Sequence, residues 1–411
     1  MKVLLLHQYF LEEGDFGGSR FNEMTEQWLT KGADVTVLAG MMHANGSEKR
    51  PEYKGKFIKV NEQRGVKVIR SHVSESYNSG FFGRLWGYFS FMFSALYAGL
   101  FVAKEKYDVI VVTSPPLFVG ISGLLISKIK GIPMVFEIRD LWPESAIDTG
   151  VLTNKVVIKF ALWTERIIYQ FSTKINVLTP AFRDALIEKK GIAKDKVFYI
   201  PNACDFGMSE KLSSMIDRDS LRKELSWEDN FVITYVGAHG VANHLEQIIE
   251  AASHLTNTRI RINLIGDGMK KEDLKIYTKS LGVTNVYFMN PVPKEEVFKY
   301  IIASDVGASI LKKVETFKTI YSNKTFDYMS CKTPVLLLID GVSRELVETA
   351  KCGFYAEPEN IEAIVTTLES ISEMSSEDLN ELGVNGYNHA KEHFDRTKLA
   401  NSYLEELELL S

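Results

Sequence analysis

Short apolar runs alternate with stretches of helical periodicity throughout the chain. Between the first runs, one helix places Phe21, Met24, Trp28 and Leu29 on a single face. Most runs are continuous and β-branched, which is typical of strands covered on both faces of a parallel sheet. The first series is Val3–Leu6, Val35–Leu38, Val66–Ile69, Val109–Val112, Met134–Phe136, Ile175–Leu178 and Phe198–Ile200. Such alternation predicts a doubly wound α/β domain.

A second series of strands follows and predicts a second domain of the same kind. Its members are Phe231–Val236, Ile260–Ile265, Val286–Phe288, Val306–Ile310, Val335–Leu338 and Gly353–Ala356. Because 411 residues exceed one ordinary core, we expect two Rossmann-like domains facing across a cleft. Turn formers around 201–205 mark the joint. The expected domains are 1–203 and 204–393, and the helix at 394–411 is expected to pack back on the first.

One segment is apolar enough to suggest a membrane. The 19 residues between Arg84 and Lys104 carry no charge and would extend roughly 28 Å as a helix. A single span is rejected, because the flanking strands Val66–Ile69 and Val109–Val112 should belong to one sheet. From Lys49 to Arg70 there are eight Lys or Arg against two Glu. This basic stretch favours a membrane-associating segment at 81–103 near anionic lipid, with a buried helix beside a solvated hairpin as the alternative.

Composition and charge exclude several classes of protein. The net charge of −5 and the pI near 6.0 argue against a nucleic-acid binder. The three cysteines are far apart and form no CxxC pair, so neither a zinc site nor a disulfide framework is indicated. The apolar run after Met1 is too short for a signal peptide, and a cytoplasmic protein is expected.

Glycine-rich turns follow strands at corresponding places in both halves. Gly17 and Gly18 precede the first helix, and Gly237 and Gly240 flank His239 after the first strand of the second half. Amide groups at such turns can bind anions, although glycines alone also form ordinary tight turns. A further turn contains Gly266. The full dinucleotide fingerprint is missing, which disfavours an NAD enzyme.

Two segments of the second half carry candidate donor contacts. In the helix predicted from Asn323, Phe326 and Met329 would face the core, so that Lys324 and Asp327 face a ligand. A lysine beside helix amides can hold a diphosphate, and a carboxylate one turn along can accept ribose hydroxyls. The prolines on either side of Val292 would leave its backbone groups available to a flat base. An exposed helix with an i,i+3 ion pair is the alternative.

In the first half, charged residues cluster where a strand ends. The segment from Phe136 to Ser145 includes Arg139, Asp140 and Glu144. Charges at the carboxyl end of a buried strand indicate a ligand cleft. We therefore expect these three side chains to hold a sugar or an acceptor.

Together these motifs resemble retaining glycosyltransferases of family 4, which have the GT-B fold, over essentially the whole chain. The similarity is greatest to the bacterial O-antigen and capsule branch, including enzymes similar to N-acetyl-L-fucosamine transferases. Its specific carriers are the string Asp140-Leu141-Trp142-Pro143-Glu144-Ser145 and the string Asn323-Lys324 through Asp327-Tyr328-Met329. The glycine turns at Gly17-Gly18, at Gly237 with Gly240, and at Gly266-Asp267-Gly268 support it.

The resemblance implies roles for particular residues. Lys324 would contact the donor diphosphate, Asp327 the ribose, and the backbone around Val292 the base. This sequence departs from the family in three places. Asp327 stands where a Glu is usual. Ala238-His239 and Asn243-His244 stand where an Arg and a Lys are usual, and Lys318 or Thr319 replaces a sugar-contacting Glu, with Glu315 nearby.

The resemblance further implies a reaction and its partners. A hexosyl or N-acetylhexosaminyl group would move, with retention, from a nucleotide diphosphate donor, expected to be UDP-linked. The acceptor would be a polyprenyl-diphosphate-linked saccharide at an anionic membrane surface on the cytoplasmic side. No metal or other cofactor is expected, so Lys324 and the amides of the Gly237–Gly240 turn would stabilise the leaving diphosphate.

Two other functions remain open at this point. A sugar-nucleotide epimerase uses the same two-domain fold, but it needs no acceptor and has little use for an apolar helix at a membrane. A non-catalytic sugar-nucleotide-binding subunit is compatible with the replaced acid near Thr319. Donor turnover that depends on a lipid extract distinguishes all three.

Overall fold

The computed structural model describes residues 1–12, 15, 20–42, 49–78 and 80–411, without the side chains of 77, 78, 80–82 and 84. They form two compact units: Met1–Pro201 with Thr397–Ser411, and Asn202–Arg396. The bounds expected from the sequence, 1–203, 204–393 and 394–411, differ from these by two or three residues. Gly17 and Gly18 lie outside the described residues.

The first unit contains an eight-stranded, mostly parallel sheet. The strands are β1 (Lys2–Leu6), β2 (Asp34–Gly40), β3 (Ile58–Gln63), β4 (Val66–Ser71), β5 (Val109–Ser114), β6 (Met134–Ile138), β7 (Lys174–Val177) and β8 (Val197–Tyr199). Their order is β3-β4-β2-β1-β5-β6-β7-β8. Only the β3–β4 pair is antiparallel among these strands. The continuous apolar runs thus form parallel strands, as predicted.

The edge strand β3 was not predicted from the sequence. Its residues alternate between exposed and half-buried, and polar side chains outnumber apolar ones. It pairs with β4 as a hairpin. An edge strand needs only one neighbour and little apolar surface, so its sequence carries no strong signal.

Helices cover both faces of this sheet. They are α1 (Arg20–Thr30), α2 (Gly80–Tyr97, continued by a π-helical turn over Ala98–Val102), α3 (Val119–Lys130), α4 (Glu144–Asp148), α5 (Lys155–Phe171) and α6 (Pro180–Asp184). The α2, α3 and α5 helices lie on one face. Ser122 of α3 donates to the carbonyl of Met92 at 2.6 Å, and the side chain of Ile168 lies against Gly120.

Helix α2 has the length and composition of a membrane span, as some core helices of soluble proteins also do. Leu85–Val102 is the one such stretch among the described residues, and 39% of it is buried within the protein. The strands before and after it, β4 and β5, both belong to the first sheet. This confirms the sequence argument against a single span, because one sheet cannot lie on both sides of a bilayer.

The second unit has a six-stranded parallel sheet. Its strands are β9 (Phe231–Val236), β10 (Ile260–Ile265), β11 (Val286–Met289), β12 (Val306–Ile310), β13 (Val335–Leu338) and β14 (Gly353–Tyr355), in the order β11-β10-β9-β12-β13-β14. All six were predicted. Two cores flank the sheet, one around Ile248 and Leu264 and the other around Phe326 and Leu337. The two-domain α/β prediction is therefore confirmed.

The remaining helices complete both units. They are α7 (Phe206–Met215), α8 (Arg218–Glu224), α9 (Glu246–Ser253), α10 (Lys271–Ser280), α11 (Lys294–Ala303), α12 (Asn323–Ser330), α13 (Val342–Thr349), α14 (Ile361–Ser372), α15 (Ser376–His393) and α16 (Arg396–Glu408). From Thr397 onwards α16 belongs to the first unit. There Trp28 donates its indole N–H to the carbonyl of Ala400 at 2.8 Å, and Tyr403 packs against Phe21.

Candidate functional site

The candidate donor site lies in the second unit, where the strand order reverses. Strand β9 is followed by β10 on one side, and the chain later returns to place β12 on the other. Ligands of open α/β sheets bind at the carboxyl ends of strands at this reversal. The turn Gly237–Gly240 follows β9, and helix α12 follows β12 after a 3₁₀ turn.

Two glycines let the turns after β9 and β10 pack backbone against backbone. A Cβ atom built on Gly266 would lie 1.9 Å from the carbonyl oxygen of Gly237. Gly266 has φ +147°, and Gly268, at φ +158°, is pressed against the His239 backbone in the same way. These glycines are therefore explained first by close packing of the two turns.

The turn after β9 offers fewer amides to a ligand than the sequence suggested. The N–H of Gly237 donates to Ile265 O at 2.9 Å, and that of His239 donates to Asp267 O at 2.8 Å. Those two groups cannot also stabilise a diphosphate, which corrects the prediction that the whole turn does so. The described residues show no acceptor for the N–H groups of Ala238 and Gly240, so these two remain candidates.

Lys324 lies directly over this turn. A Cβ on Gly237 would be 2.5 Å from Lys324 Cε and 3.2 Å from its Nζ, so glycine at 237 makes room for the lysine. The ammonium also lies 4.9 Å from the ring centroid of Tyr235. Burial lowers the pKa of Lys324 to about 8, partly opposed by the charge of Asp327. A half-buried cation is thus held at the reversal point.

The carboxylate of Asp327 lies one turn further along α12. Burial raises its pKa to about 6, while Lys294 lowers it and Asp205 raises it. Lys294 is itself 2.7 Å from Asp205, and Arg396 is 3.3 Å from the same carboxylate. Asp327 therefore sits between Lys324 and a separate ion-pair cluster.

Helix α12 is fixed against the sheet from its inner face. The hydroxyl of Tyr328 donates to Ala308 O at 2.9 Å, and the same hydroxyl oxygen accepts from the N–H of Val236 at 3.3 Å. Phe326 and Met329 are buried, as predicted for the core face of this helix. The anchor ties α12 to both β9 and β12, the two strands at the reversal.

His239 is placed inside the second unit. Its ring is fully buried, 6.2 Å from the ring of Tyr235 and 6.0 Å from that of Phe288. Burial lowers its pKa to about 4, so the imidazole is neutral at pH 7. A contact between the His239 side chain and the donor stays a prediction. In the structure, it is the backbone of His239 that takes part in the packing of the two turns.

Lys271 is a site residue that the sequence analysis missed. Its buried ammonium donates to Gly266 O at 2.8 Å, to Met289 O at 3.1 Å and to Asn290 Oδ1 at 3.1 Å. It thereby ties the turn after β10 to the segment that carries Val292, which is half-buried in irregular structure. The signal in the sequence was a lysine three residues after the Gly266-Asp267-Gly268 turn.

The other predicted donor residues lie on or near the segment after β12. Asn323 is exposed and is the first residue of α12. Glu315 lies in the preceding 3₁₀ turn, where it pairs with Lys318 at 2.7 Å and its side chain is 83% exposed. The structure does not place Glu315 beside Lys324, and its contact with a sugar stays a prediction.

A polar cluster occupies the corresponding reversal point of the first sheet, between β1 and β5. His7, after β1, lies 2.6 Å from the hydroxyl of Thr113 in β5. Burial and the charge of Arg139 lower the pKa of His7 well below its usual value. Burial also lowers the pKa of Arg139, whose Nε has no hydrogen-bond partner among the described residues. His7 and Thr113 were not predicted, because only the fold brings them to Arg139.

Asp140 and Glu144 follow in the same loop with different partners. Asp140 accepts from the hydroxyl of Ser145 at 2.9 Å, and burial raises its pKa. Glu144 pairs with Lys190, which also binds Glu165 at 2.5 Å. The structure thus joins Arg139 to His7 but ties Glu144 to a neighbouring ion pair. Among the described residues, no group of three or more His, Cys, Asp or Glu is placed to hold a metal.

Comparison with known proteins decides the class. Residues 17–203 match the family model "Glycosyl transferase 4-like domain", and residues 217–389 match "Glycosyl transferases group 1". The chain is a glycosyltransferase of the GT-B type. The two matched regions correspond to the two α/β units, and together they span most of the chain.

Individual relatives support this GT-B assignment at low identity. The putative colanic acid biosynthesis glycosyl transferase WcaI of Escherichia coli K12 is 23% identical over 89% of this chain and 90% of its own length. The probable glycosyltransferase WbjE of Pseudomonas aeruginosa is 21% identical over 68% of this chain and 69% of its own. The crystal structure of HepE from Anabaena with UDP-glucose covers both chains fully, with TM-score 0.72 and 18% identity.

Proposed function

We propose that this GT-B glycosyltransferase moves a hexosyl or N-acetylhexosaminyl group, with retention, from a UDP-linked donor to a lipid-linked saccharide. One observation carries the proposal: the Lys324 ammonium is held over Gly237 where the second sheet reverses its strand order. HepE, of the same fold, was crystallised with UDP and with UDP-glucose, which supports a uridine donor for this chain.

The leaving diphosphate would be stabilised by fixed charges and dipoles. Lys324 supplies the cation, and the amino terminus of α12 presents its first N–H groups beside it. The amides of Ala238 and Gly240 are the remaining donors of the turn after β9. Such preorganised groups act without reorganisation when the sugar–phosphate bond breaks. Metal independence is part of the proposal, and addition of EDTA during turnover tests it.

The nucleoside would be recognised next to this diphosphate site. Asp327, ionised above pH 6, can accept hydrogen bonds from both ribose hydroxyls. The backbone around Val292 would read the uracil edge, and Lys271 would hold that segment in place through Asn290. Gly17 and Gly18 are proposed as further donor contacts.

Retention would follow from attack on the leaving-group face of the sugar. The acceptor hydroxyl forms the new bond to the anomeric carbon while the bond to the diphosphate oxygen breaks. Its proton passes to the departing phosphate oxygen, so no side chain is required as a base. Arg139, Asp140 and Glu144 would position the sugar or the acceptor from the first unit.

The proposed acceptor is a polyprenyl-diphosphate-linked saccharide at the cytoplasmic face of the membrane. WcaI carries colanic acid biosynthesis in its name, which supports a role in cell-surface polysaccharide assembly, such as O-antigen or capsule. In α2, Trp86, Phe93, Tyr97 and Phe101 share an exposed face. Aromatic side chains at that face would contact the membrane interface.

Turnover of labelled UDP-sugars, with and without lipid extract, tests the proposal. We expect sugar to appear in the lipid fraction only when both extract and enzyme are present. Epimerised donor without extract would support the epimerase, and donor binding without turnover would support the non-catalytic subunit. A thermal-shift panel of nucleotide sugars identifies the donor, since a ligand of the native state raises the melting temperature.

A further inference from the structure

Helix α5 has an exposed face that is apolar and basic. The packing of the helix against the first unit does not require this face. Its inner residues Ala161, Thr164 and Ile168 are buried against the first unit. On the outer face, Val156 is 76% exposed, Phe160 45% and Trp163 58%. Exposed aromatic and aliphatic residues at i, i+4 and i+7 form one continuous stripe on a helix.

The charged residues of this helix strengthen the pattern. Lys155, Lys159 and Arg166 are exposed alongside that stripe. The one acidic residue of the helix, Glu165, is turned inward and is bound by Lys190. The solvent-facing side of α5 is therefore basic and apolar, with its carboxylate withdrawn.

A buried aromatic ring beneath the surface links the exposed stripe of α5 to α2. Phe118, just before α3, stacks on Phe160 of α5 with ring centroids 5.9 Å apart. On its other side it contacts Phe89 of α2 at 4.8 Å. A row of aromatic rings thus joins the two helices, whose exposed residues lie on the same face of the first sheet.

The charge of the chain is divided unequally between its units. Met1–Pro201 with Thr397–Ser411 contains 27 Lys and Arg against 23 Asp and Glu, and Asn202–Arg396 contains 21 against 30. A basic unit with an apolar helix face is complementary to an anionic bilayer and not to the acidic second unit of another copy. Lysine is also depleted at protein–protein interfaces, whereas Lys, Trp and Phe together are typical of interfacial membrane helices.

We propose that α5 is a second membrane-contacting helix, whose outer face from Lys155 to Arg166 docks on an anionic lipid surface beside α2. This proposal rests on the proposed function, which locates the acceptor at the membrane. It adds a surface of the enzyme that would contact that membrane. Val156, Phe160 and Trp163 enter the headgroup boundary, and Lys155, Lys159 and Arg166 bind lipid phosphates. Two helices fix the orientation of the unit on the membrane, which one helix alone would leave free to rotate.

Vesicle binding by the full-length protein, without donor or acceptor, tests this surface. The vesicles contain phosphatidylglycerol and phosphatidylcholine, or phosphatidylcholine alone. We expect the variant Lys155→Gln/Lys159→Gln to lose about tenfold or more in partitioning onto the anionic vesicles, since each basic residue near the surface contributes roughly fivefold. Phe160→Ser/Trp163→Ser should lose about tenfold as well.

Matched substitutions in the second unit serve as controls. Met215 and Ile276 are exposed apolar residues, and Lys211 and Lys279 are exposed lysines. Changing them to Ser and Gln, respectively, should leave vesicle binding within about twofold. UDP affinity and melting temperature, measured on every variant, separate the membrane-docking proposal from the proposed transfer of sugar from UDP. A variant that loses vesicle binding but keeps its UDP affinity has lost only the membrane contact of α5.

Fluorescence quenching by brominated lipid locates the contact. Trp28 and Trp227 are buried and Trp142 is half-buried against Phe118, so the exposed Trp86 and Trp163 should dominate the quenching. We expect Trp163→Phe to reduce it, as Trp86→Phe should. Unchanged quenching in Trp163→Phe, or wild-type vesicle binding by both α5 variants, would overturn the proposal. A lipid-free dimer that Phe160→Ser/Trp163→Ser abolishes would overturn it in favour of a second copy.

Discussion

Lys324 and Gly237 are in contact across the carboxyl end of the second sheet. The lysine side chain occupies the space that any Cβ at 237 would need, with 2.5 Å between that position and Lys324 Cε. The position of the Lys324 side chain therefore depends on the absence of a side chain at residue 237. The donor site can be tested by substituting either residue.

Replacing Gly237 by Ala should displace Lys324 and weaken UDP binding about tenfold, measured by calorimetry. The methyl group collides with the lysine, and φ at 237 is +149°, which an alanine rarely adopts. Gly282→Ala is the matched control. Gly282 also has a positive φ, +68°, but open space around its Cβ position. It should cost about 1 kcal/mol of stability and leave UDP affinity unchanged. Equal effects of both substitutions on UDP affinity would show that backbone strain, and not Lys324, is responsible.

The affinity for UDP should be greatest between about pH 6 and pH 8. Above a pKa of about 8 the free Lys324 is neutral, so binding must first protonate it and the affinity falls. Below a pKa of about 6 Asp327 is protonated and loses its ability to accept from both ribose hydroxyls. Titration of UDP from pH 5 to 10 measures both limbs. In Lys324→Arg the alkaline limb should disappear, because arginine stays charged; its persistence would assign that limb to another group.

Asp327 should act on the ribose and not on the diphosphate. Asp327→Ala is expected to weaken UDP about tenfold while leaving pyrophosphate affinity within about twofold. The wild type should prefer UDP to 2′-deoxy-UDP, and the variant should lose that preference. An Asp327→Ala protein that still discriminates between the two nucleotides would remove the ribose role.

Lys271→Met should destabilise the second unit and loosen the segment around Val292. The substitution leaves the buried carbonyl of Gly266 without the lysine donor, at about 1–3 kcal/mol, whereas Met289 O still accepts from the N–H of Gly266. Thermal unfolding should show a lower melting temperature than for Lys275→Met, the control at an exposed lysine on the same helix. A melting temperature equal to that of the control would mean that water replaces the ammonium at little cost.

The sequence predicted most of the fold because parallel strands buried on both faces leave continuous apolar runs. The central strands of both units follow this rule, whereas the short edge strands β8, β11 and β14 are only partly buried. Strand β3 does not follow it, because as a hairpin edge it is largely polar. The length and composition of α2 were equally compatible with a core helix and a membrane span. The single span is excluded because β4 and β5 belong to one sheet.

The sequence did not predict those parts of the site that depend on contacts between residues far apart in the chain. Lys324 could be placed because it begins a helix after a buried strand. Lys271 could not, since its role is defined by two carbonyls and one amide oxygen that the ends of β10 and β11 bring together. The same holds for His7 and Thr113, which are separated by more than a hundred residues. The structure was also needed to show that the N–H groups of Gly237 and His239 already donate to carbonyls at the end of β10 and in the turn after it.

Calorimetric titration of UDP into the Lys324→Ala protein tests the central claim most directly. We predict that Lys324→Ala binds UDP and pyrophosphate at least tenfold more weakly than the wild type and transfers sugar at least tenfold more slowly. Its melting temperature should be close to that of the wild type. Lys299→Ala, on an exposed lysine of α11, should behave as the wild type. Wild-type affinity for both ligands in Lys324→Ala, in a folded protein, would contradict a lysine-held diphosphate.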